Sequence, residues 1–303
     1  MIDLHTHSTA SDGSLSPSSL IAEAVKRGLT TIALTDHDTI EGNAEAAKAA
    51  SGQGIRFIPG IEMQIAWAHG GEFHLLGLGI NKPSQGFLAE VEELAQRRQV
   101  RNLEIVERMN QAGIDATYDD VKTIASGPKG FEPEPGTLNP RRQSIGRLHF
   151  AALLTKLKIV KNREQAFLRY LSKGKPFFTP KAGLEFERAV EIIRESGGIA
   201  ILAHPMSLYV SWGHLPDLVK SLKEKGLDGL EAWHPNTKLS ACKRLEALAK
   251  DLGLYITAGS DYHGEARPDR KLGITAGGQK IEETLLCENI IRVVSEPAVL
   301  DCF

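Results

Sequence analysis

Asp3-Leu4-His5-Thr6-His7-Ser8 stands near the start of the chain, and Asp12-Gly13 follows within a few residues. Side chains two apart on an extended strand point the same way. His5 and His7 therefore offer both imidazoles to one point in space, and imidazole is the commonest protein metal ligand near neutral pH. Alone, the pair is also what two unrelated histidines would give by chance. Its weight comes from what stands at the ends of the later strands.

Residues 2–4 read as a short buried strand. Ser16 caps a helix with Pro17 at its first position, and Gly28 ends it. A second strand over 31–35 runs into Asp36-His37-Asp38, a helix over 41–50 follows, and a third strand over 57–62 ends on Glu62. A fourth, over 72–80, carries His74. Further on, a helix over 184–196 leads to a strand over 199–203 that ends on His204-Pro205. Helices over 215–225 and 238–252 flank a strand over 229–233, and a strand over 254–258 ends on Gly259-Ser260-Asp261-Tyr262-His263. Strand and helix alternate at short intervals, with polar residues gathered where strands end. That is the α/β pattern, in which ligands sit at the C-terminal ends of parallel strands. Seven strands suit a small, irregular β/α barrel.

Between residues 84 and 172 the strand pattern disappears. A long helix over 84–113 has its expected apolar stripe through Leu88, Val91, Leu94, Val100, Leu103, Val106 and Met109. Shorter helices are expected over 117–125, 147–157 and 164–171. Residues 126–140 are rich in proline and glycine and read as a loop, either a lid or disordered. We expect 84–172 to be a mostly helical insertion that contributes to substrate binding. It would interrupt a barrel made of 1–83 and 173–303, which resumes at Phe177-Phe178.

His5, His7, Asp12, His37, Glu62, His74, His204, Asp261 and His263 all stand at or just past expected strands, and six of them are among only ten histidines in the chain. Singly, His204 is equally a strand terminus and His74 equally a satisfied core histidine, while Asp36 and Asp38 read as turn formers. A carboxylate after an apolar run is costly to bury unpaired, so Glu62 argues for a cation partner. Nine donors exceed one tetrahedral site and imply two or three divalent ions, with Glu62 the natural bridge. Mixed nitrogen and oxygen donors without sulfur suit manganese first, with zinc or iron as alternatives.

A net charge of −2 gives no global basic field and argues against a surface for long nucleic acid. Three cysteines without C-x-x-C spacing argue against a disulfide framework or a thiolate metal site, which fits a reducing cytoplasm. We expect no membrane-spanning run, no signal peptide and no obligate protein partner. No phosphate-binding P-loop, nucleophile elbow or dinucleotide fingerprint occurs. Hydrolysis by a metal-activated hydroxide is the reaction class that remains.

Asp3-Leu4-His5-Thr6-His7-Ser8, Asp12-Gly13, Leu34-Thr35-Asp36-His37-Asp38, Gly60-Ile61-Glu62, Ala203-His204-Pro205 and Gly259-Ser260-Asp261-Tyr262-His263 together resemble the successive motifs of the PHP (polymerase and histidinol phosphatase) family. The resemblance covers the chain apart from details of the insertion. It implies a distorted (β/α)7 barrel with a two- or three-metal cluster. By motif, His5, His7, Glu62 and Asp261 would hold one ion, Glu62, His74 and His204 a second, and Asp12, His37 and His263 a third. Asp12 stands where many relatives have histidine.

Arg147-Leu148-His149-Phe150-Ala151 and the segment from Tyr170 to Lys175-Pro176 resemble a bacterial subgroup. Its members act on 3′,5′-nucleoside bisphosphates and, as 5′-to-3′ exoribonucleases, on short 5′-phosphorylated RNA. The implied reaction is in-line attack on the 5′-phosphorus by a metal-bridging hydroxide, with Glu62, Asp261, His204 and His263 as the catalytic set. Arg147, a bidentate phosphate fork, would bind substrate together with His149 and Lys175. A histidinol-phosphate phosphatase, a non-catalytic PHP binding module and a C–N amidohydrolase are the competing readings.

Overall fold

Leu4 donates its backbone N–H to Ala258 O, and Thr6 bridges in parallel to Tyr262, so the two ends of the chain's sheet meet. The sheet has seven strands in the order of the sequence: β1 (Ile2–Asp3), β2 (Thr31–Leu34), β3 (Arg56–Gln64), β4 (His74–Leu78), β5 (Ile199–Leu202), β6 (Gly229–Trp233) and β7 (Tyr255–Ala258). In this computed structural model, residues 1–125, 144–180, 183–285 and 290 are described. The result is a mixed α/β, nearly closed seven-stranded barrel. β2 and β4 to β6 are buried along their whole length, as expected for strands covered on both faces, with only the ends of β3 and β7 partly exposed.

All neighbouring strands pair in parallel except at β4, which is antiparallel to both β3 and β5. Only nine residues separate β3 from β4, too few for a parallel crossover, so the chain makes a hairpin. The reversal has a consequence for the site. His74 is the first residue of β4 and pairs with Gln64 at the last residue of β3, which brings it to the same mouth as the C-terminal ends of the parallel strands.

Helices α1 (Pro17–Lys26) and α2 (Asn43–Ala50) cover β2 and the start of β3. Ser16 accepts from Ser19 N–H at the start of α1, as its sequence position indicated. After β4 come α3 (Gln85–Gln111), α4 (Tyr118–Ala125), α5 (Arg147–Lys156) and α6 (Arg163–Ala166), the last continued by a π-turn over Phe167–Leu171. These elements hold a separate apolar cluster that includes Met109, Val121, Phe150, Leu154 and Phe177. Phe177 therefore packs with the helices and starts no strand; the barrel pairing is taken up again at Leu184, bridged to Ile65. The barrel is completed by α7 (Phe186–Glu195), α8 (Leu215–Glu224) and α9 (Leu239–Asp251).

The stripe expected on α3 differs from the one observed. Leu88, Val100 and Leu103 are largely exposed, and the buried face runs through Phe87, Leu94, Arg98, Arg101, Asn102, Ile105 and Met109. The middle of that face is polar because it lies over the mouth of the barrel, where Arg98 pairs with Asp38. Leu94, Val106 and Met109 of the expected stripe are buried, and a hydrophobic count adds Leu88, Val100 and Leu103 while leaving out the polar residues of the inner face. The 126–140 loop, expected as a lid or disordered, lies outside the described residues. No described helix is long and apolar enough to cross a membrane.

Candidate metal and phosphate site

His5 and His7 leave β1 with their rings converging: the two Nε2 atoms are 3.2 Å apart and both side chains are fully buried. Glu62 and Asp261 reach the same point. From His7 Nε2, Glu62 Oε2 is 3.4 Å away and Asp261 Oδ1 3.2 Å, and from His5 Nε2 they are 3.5 and 3.6 Å. His74 Nδ1 and His204 Nε2 lie 2.8 and 2.9 Å from Glu62 Oε1 and 3.3 Å from each other. His37 Nδ1 lies 2.8 Å from Glu62 Oε2. On the far side His263 Nε2 is 3.2 Å from Asp12 Oδ1, with His37 Nε2 at 3.9 Å. The nine residues named from sequence thus come to one buried cluster around Glu62.

Four donor groups fall close enough to share an ion: His7, Asp12, His37 and His263; His5, His7 and Asp261; His5, Glu62 and His204; and His37, Glu62 and His74. They overlap the expected groups without matching them one for one, because His5, His7, His37 and Glu62 each stand between two positions.

The chemistry of these donors fits divalent ions. Atoms bound at about 2.1 Å to one ion sit roughly 3.0–3.4 Å apart, close to the spacings found here. Each of five rings has one nitrogen engaged by an oxygen and the other turned to the cluster. His5 Nδ1 is 2.9 Å from Glu231 Oε1, His74 Nε2 2.9 Å from Gln64 Oε1, and His204 Nδ1 2.8 Å from Ser207 Oγ. His263 Nδ1 donates to Asp261 O at 2.8 Å, and His7 Nδ1 lies 3.5 Å from Ser11 Oγ. Such outer contacts fix tautomer and orientation at metal sites. Glu62 Oε2 and Asp12 Oδ1 are buried and accept no hydrogen bond, although ring nitrogens crowd both.

The buried carboxylates dominate the electrostatics: against burial, Glu231, Glu62 and Asp261 hold His5 well above its usual range, as expected of a ring surrounded by anions. Burial opposes ionisation of Glu62, but His37, His74 and His5 outweigh it and hold the carboxyl well below its usual range. Asp261 is likewise held low against burial by Arg270 and by the rings of His5 and His263. Burial, with His263 and His37 beside it, takes His7 down to about 3 and keeps its ring neutral, the form a metal requires. Burial raises Asp3 to about 6 against hydrogen bonds from Ser260, Gly273 and His5.

Backbone strain collects here. Among the described residues, five non-glycine residues have positive φ: Asp38, Lys158, His204, Tyr209 and Asp261. All but Lys158 line the cleft or pair with a residue that does. Such conformations persist where the surrounding structure enforces them, and they concentrate at functional sites.

Above the cluster lies a cleft of about 390 Å³. Its cationic walls are Arg98, Arg147, Arg267 and Arg270. Arg147 pairs with Glu72, and its guanidinium is held between the rings of Phe167 and Phe178, 5.9 Å from each centroid. His149 does not face the cleft: it is buried at the start of α5, where Nδ1 accepts from Gly146 N–H. Lys175 is exposed and does not line the cleft either. Two residues apart on a helix, Arg147 and His149 point to different sides.

Several participants escaped the sequence reading. Glu231 bonds His5 through Oε1 and accepts His204 N–H through Oε2 at 2.7 Å. His234 Nε2 lies 3.4 Å from Asp261 Oδ2, and Arg270 Nη1 pairs with that same oxygen and lies 2.9 Å from His234 Nε2. Asp36 and Asp38, read as turn formers, accept from Ser8 and Ser11 and from Gln64 N–H and Arg98 respectively. A signal was present for Glu231 and His234: the first stands in the middle of an apolar strand and the second just past its end, where a polar side chain needs a reason.

Comparison with known proteins places the chain in context. The PHP domain profile matches residues 3–129. The chain is 35% identical over 261 residues to a 5′-3′ exoribonuclease of Haemophilus influenzae, covering 86% of this chain and 89% of that one. It is 31% identical over 274 residues to a 3′,5′-nucleoside bisphosphate phosphatase of Chromobacterium violaceum, covering 90% and 91%. A structure from Bifidobacterium adolescentis, described as a metal-dependent phosphoesterase, superposes with a TM-score of 0.80 at 26% identity over 97% of this chain and 94% of that one.

Proposed function

The chain belongs to the PHP domain family of metal-dependent phosphoesterases, and on that premise we propose that it removes the 5′-phosphate of 3′,5′-nucleoside bisphosphates and trims short 5′-phosphorylated RNA from its 5′ end. The observation that carries this reading is one cleft holding both features the substrate requires. Its floor is an imidazole and carboxylate cluster with two orphaned buried oxygens, and its walls are four arginines. Burial, against the pull of Asp12, brings Arg98 down to about 10, and Arg147 adds to the fall. Burial with Arg98 and Arg147 takes Arg101, just behind, to about 9. A cationic wall that disfavours its own charge is relieved by a multiply anionic ligand.

In this proposal His5, His7, Glu62 and Asp261 hold one ion, Glu62, His74 and His204 a second, and Asp12, His37 and His263 a third. Manganese is the first choice of metal and zinc or iron the alternatives. When bound, such ions lower the pKa of a water between them and neutralise charge on the phosphate. Glu231, Gln64 and Ser207 keep His5, His74 and His204 in the tautomers that face the cluster. Arg147, planar and braced by two rings and Glu72, presents a fork to the phosphate that is not cleaved. His204 and His263 line the cleft wall with one nitrogen tied to Ser207 or Asp261 O and the other toward an ion, so they position the departing 5′-oxygen and its proton comes from water in the cleft. Histidinol phosphate carries a cationic amine, which four arginines disfavour.

The test is phosphate release with added manganese from adenosine 3′,5′-bisphosphate, AMP, histidinol phosphate and a short 5′-phosphorylated RNA. The bisphosphate and the RNA are expected to be turned over with the highest kcat/KM, and a chelator to abolish it. Preference for histidinol phosphate, or for AMP over the bisphosphate, would end the proposal.

A further inference from the structure

We propose that Tyr209 is a stacking platform for the nucleobase of the substrate, a role that rests on the nucleotide reading above. Tyr209 is 82% exposed, the most exposed of the large apolar or aromatic side chains among the described residues, and it is the one of that group that lines the cleft. A single exposed aromatic is unremarkable by itself. Three further observations set this one apart.

First, its backbone is in the left-handed region, at φ +53°, a conformation that disfavours a residue with a Cβ. Second, the turn that carries it is fixed. Residues Pro205–Leu208 form a 3₁₀ turn directly after His204, and Tyr209 closes it by donating its N–H to Met206 O. Ser207 is clamped from both sides: its O accepts from Glu72 N–H at 2.9 Å, and its Oγ donates to Glu72 O at 2.8 Å. Gly71 allows that approach, since a Cβ there would stand 2.2 Å from Ser207 O. Third, the clamp shares residues with the catalytic cleft. Ser207 Oγ also lies 2.8 Å from His204 Nδ1, and Glu72 also pairs with Arg147.

The backbone that carries the phenol is therefore fixed relative to both the metal cluster and the phosphate-binding arginine. A solvated π-face carried on a fixed turn beside a phosphate site suits one ligand chemistry: a base attached to the sugar that bears the phosphate. Stacking tolerates every base, because each has a π-face, so this platform gives affinity for nucleotides without strong base preference.

The test uses two probes that carry the far-side phosphate and no phosphate to be removed: adenosine 3′-monophosphate and its abasic analogue, 1-deoxyribose 3-phosphate. Calorimetric Kd values are measured on metal-loaded wild type, Tyr209→Ala and Tyr209→Trp. Wild type is expected to bind the adenosine compound about tenfold or more tighter than the abasic one. Tyr209→Ala should lose that difference while its Kd for the abasic probe stays within about twofold, and Tyr209→Trp should keep it. With adenosine 3′,5′-bisphosphate, Tyr209→Ala should raise KM by a similar factor at nearly unchanged kcat. Equal Kd values for the two probes in wild type, or parallel losses for both in Tyr209→Ala, would overturn the platform. Phosphate release is scored separately: base-dependent binding through Tyr209 without turnover keeps the platform and removes the phosphatase reading.

Discussion

Replacing Arg270 by methionine isolates the groups that position Asp261. Arg270 is 4% exposed, pairs with Asp261 Oδ2 and lies 2.9 Å from His234 Nε2, while Asp261 Oδ1 faces His5 and His7. Methionine keeps much of the volume and removes the charge. Asp261 is then left buried beside Glu62 without its strongest cationic neighbour. Removing one partner of a buried ion pair costs about 3–5 kcal/mol. For a chain of 303 residues, an unfolding entropy of about 2.1 cal/mol/K per residue converts this to a Tm lower by about 5–8 °C. The drop should be largest in metal-free protein and shrink when manganese is added, because a cation at Oδ1 replaces part of the lost charge. Loss of such an outer partner also weakens metal binding by about 10- to 100-fold. Scanning calorimetry with and without manganese, and metal content after dialysis, read both effects. A Tm within about 1 °C of wild type together with unchanged manganese affinity would refute the assignment of Arg270 as the residue that positions Asp261.

Other expectations follow from the same geometry. In Gly259→Ala the new Cβ would stand 2.2 Å from His5 Cβ and 2.6 Å from Glu231 Oε1, so His5 must move; metal content per chain and activity should fall together, with the fold retained by circular dichroism. Arg98→Met breaks the buried pair with Asp38 and should cost about 3–5 kcal/mol in denaturant titration; a loss under 1 kcal/mol would show that α3 is held over the barrel by other contacts. Arg147→Ala should raise KM for adenosine 3′,5′-bisphosphate far more than for AMP, and equal losses would remove its role at the second phosphate. Cys242 is fully buried, and burial raises its thiol pKa; mass spectrometry after iodoacetamide at pH 8 should find it unlabelled in native protein and labelled in urea.

Much of the fold was legible because the barrel strands are short, apolar and punctuated by polar ends. The alternation of strand and helix, and the interruption between 84 and 172, follow from patterns within a few residues of each other. The direction of β4 is not such a pattern. His74 looked like a ligand on one more parallel strand, and only the short β3–β4 connection, judged in three dimensions, shows why its first residue faces the mouth. The stripe on α3 failed for a related reason. Arg98, Arg101 and Asn102 are buried by what lies beneath them, and hydrophobic periodicity has no means of assigning a polar residue to the inner face. His149, two residues from Arg147, and Lys175, in the segment from Tyr170 to Pro176, entered as substrate-binding residues, yet the helix turns one inward and the loop leaves the other exposed.

His5-Thr6-His7 marks the division between the two sources of information. By itself the sequence determined that two imidazoles share one face of a strand end, and that carboxylates and further histidines recur at later strand ends. Residue type and period-two geometry suffice for that. Which of them meet was decided by closure of the sheet, where Leu4 N–H reaches Ala258 O and brings His5 within 3.6 Å of Asp261, about 256 positions away. Tertiary structure alone decided the rest: that Glu231 and Arg270 bond to His5 and Asp261, that Arg147 lies beside two rings, and that Tyr209 lines the cleft. Those properties are distances between distant segments, and no local pattern of residues encodes them.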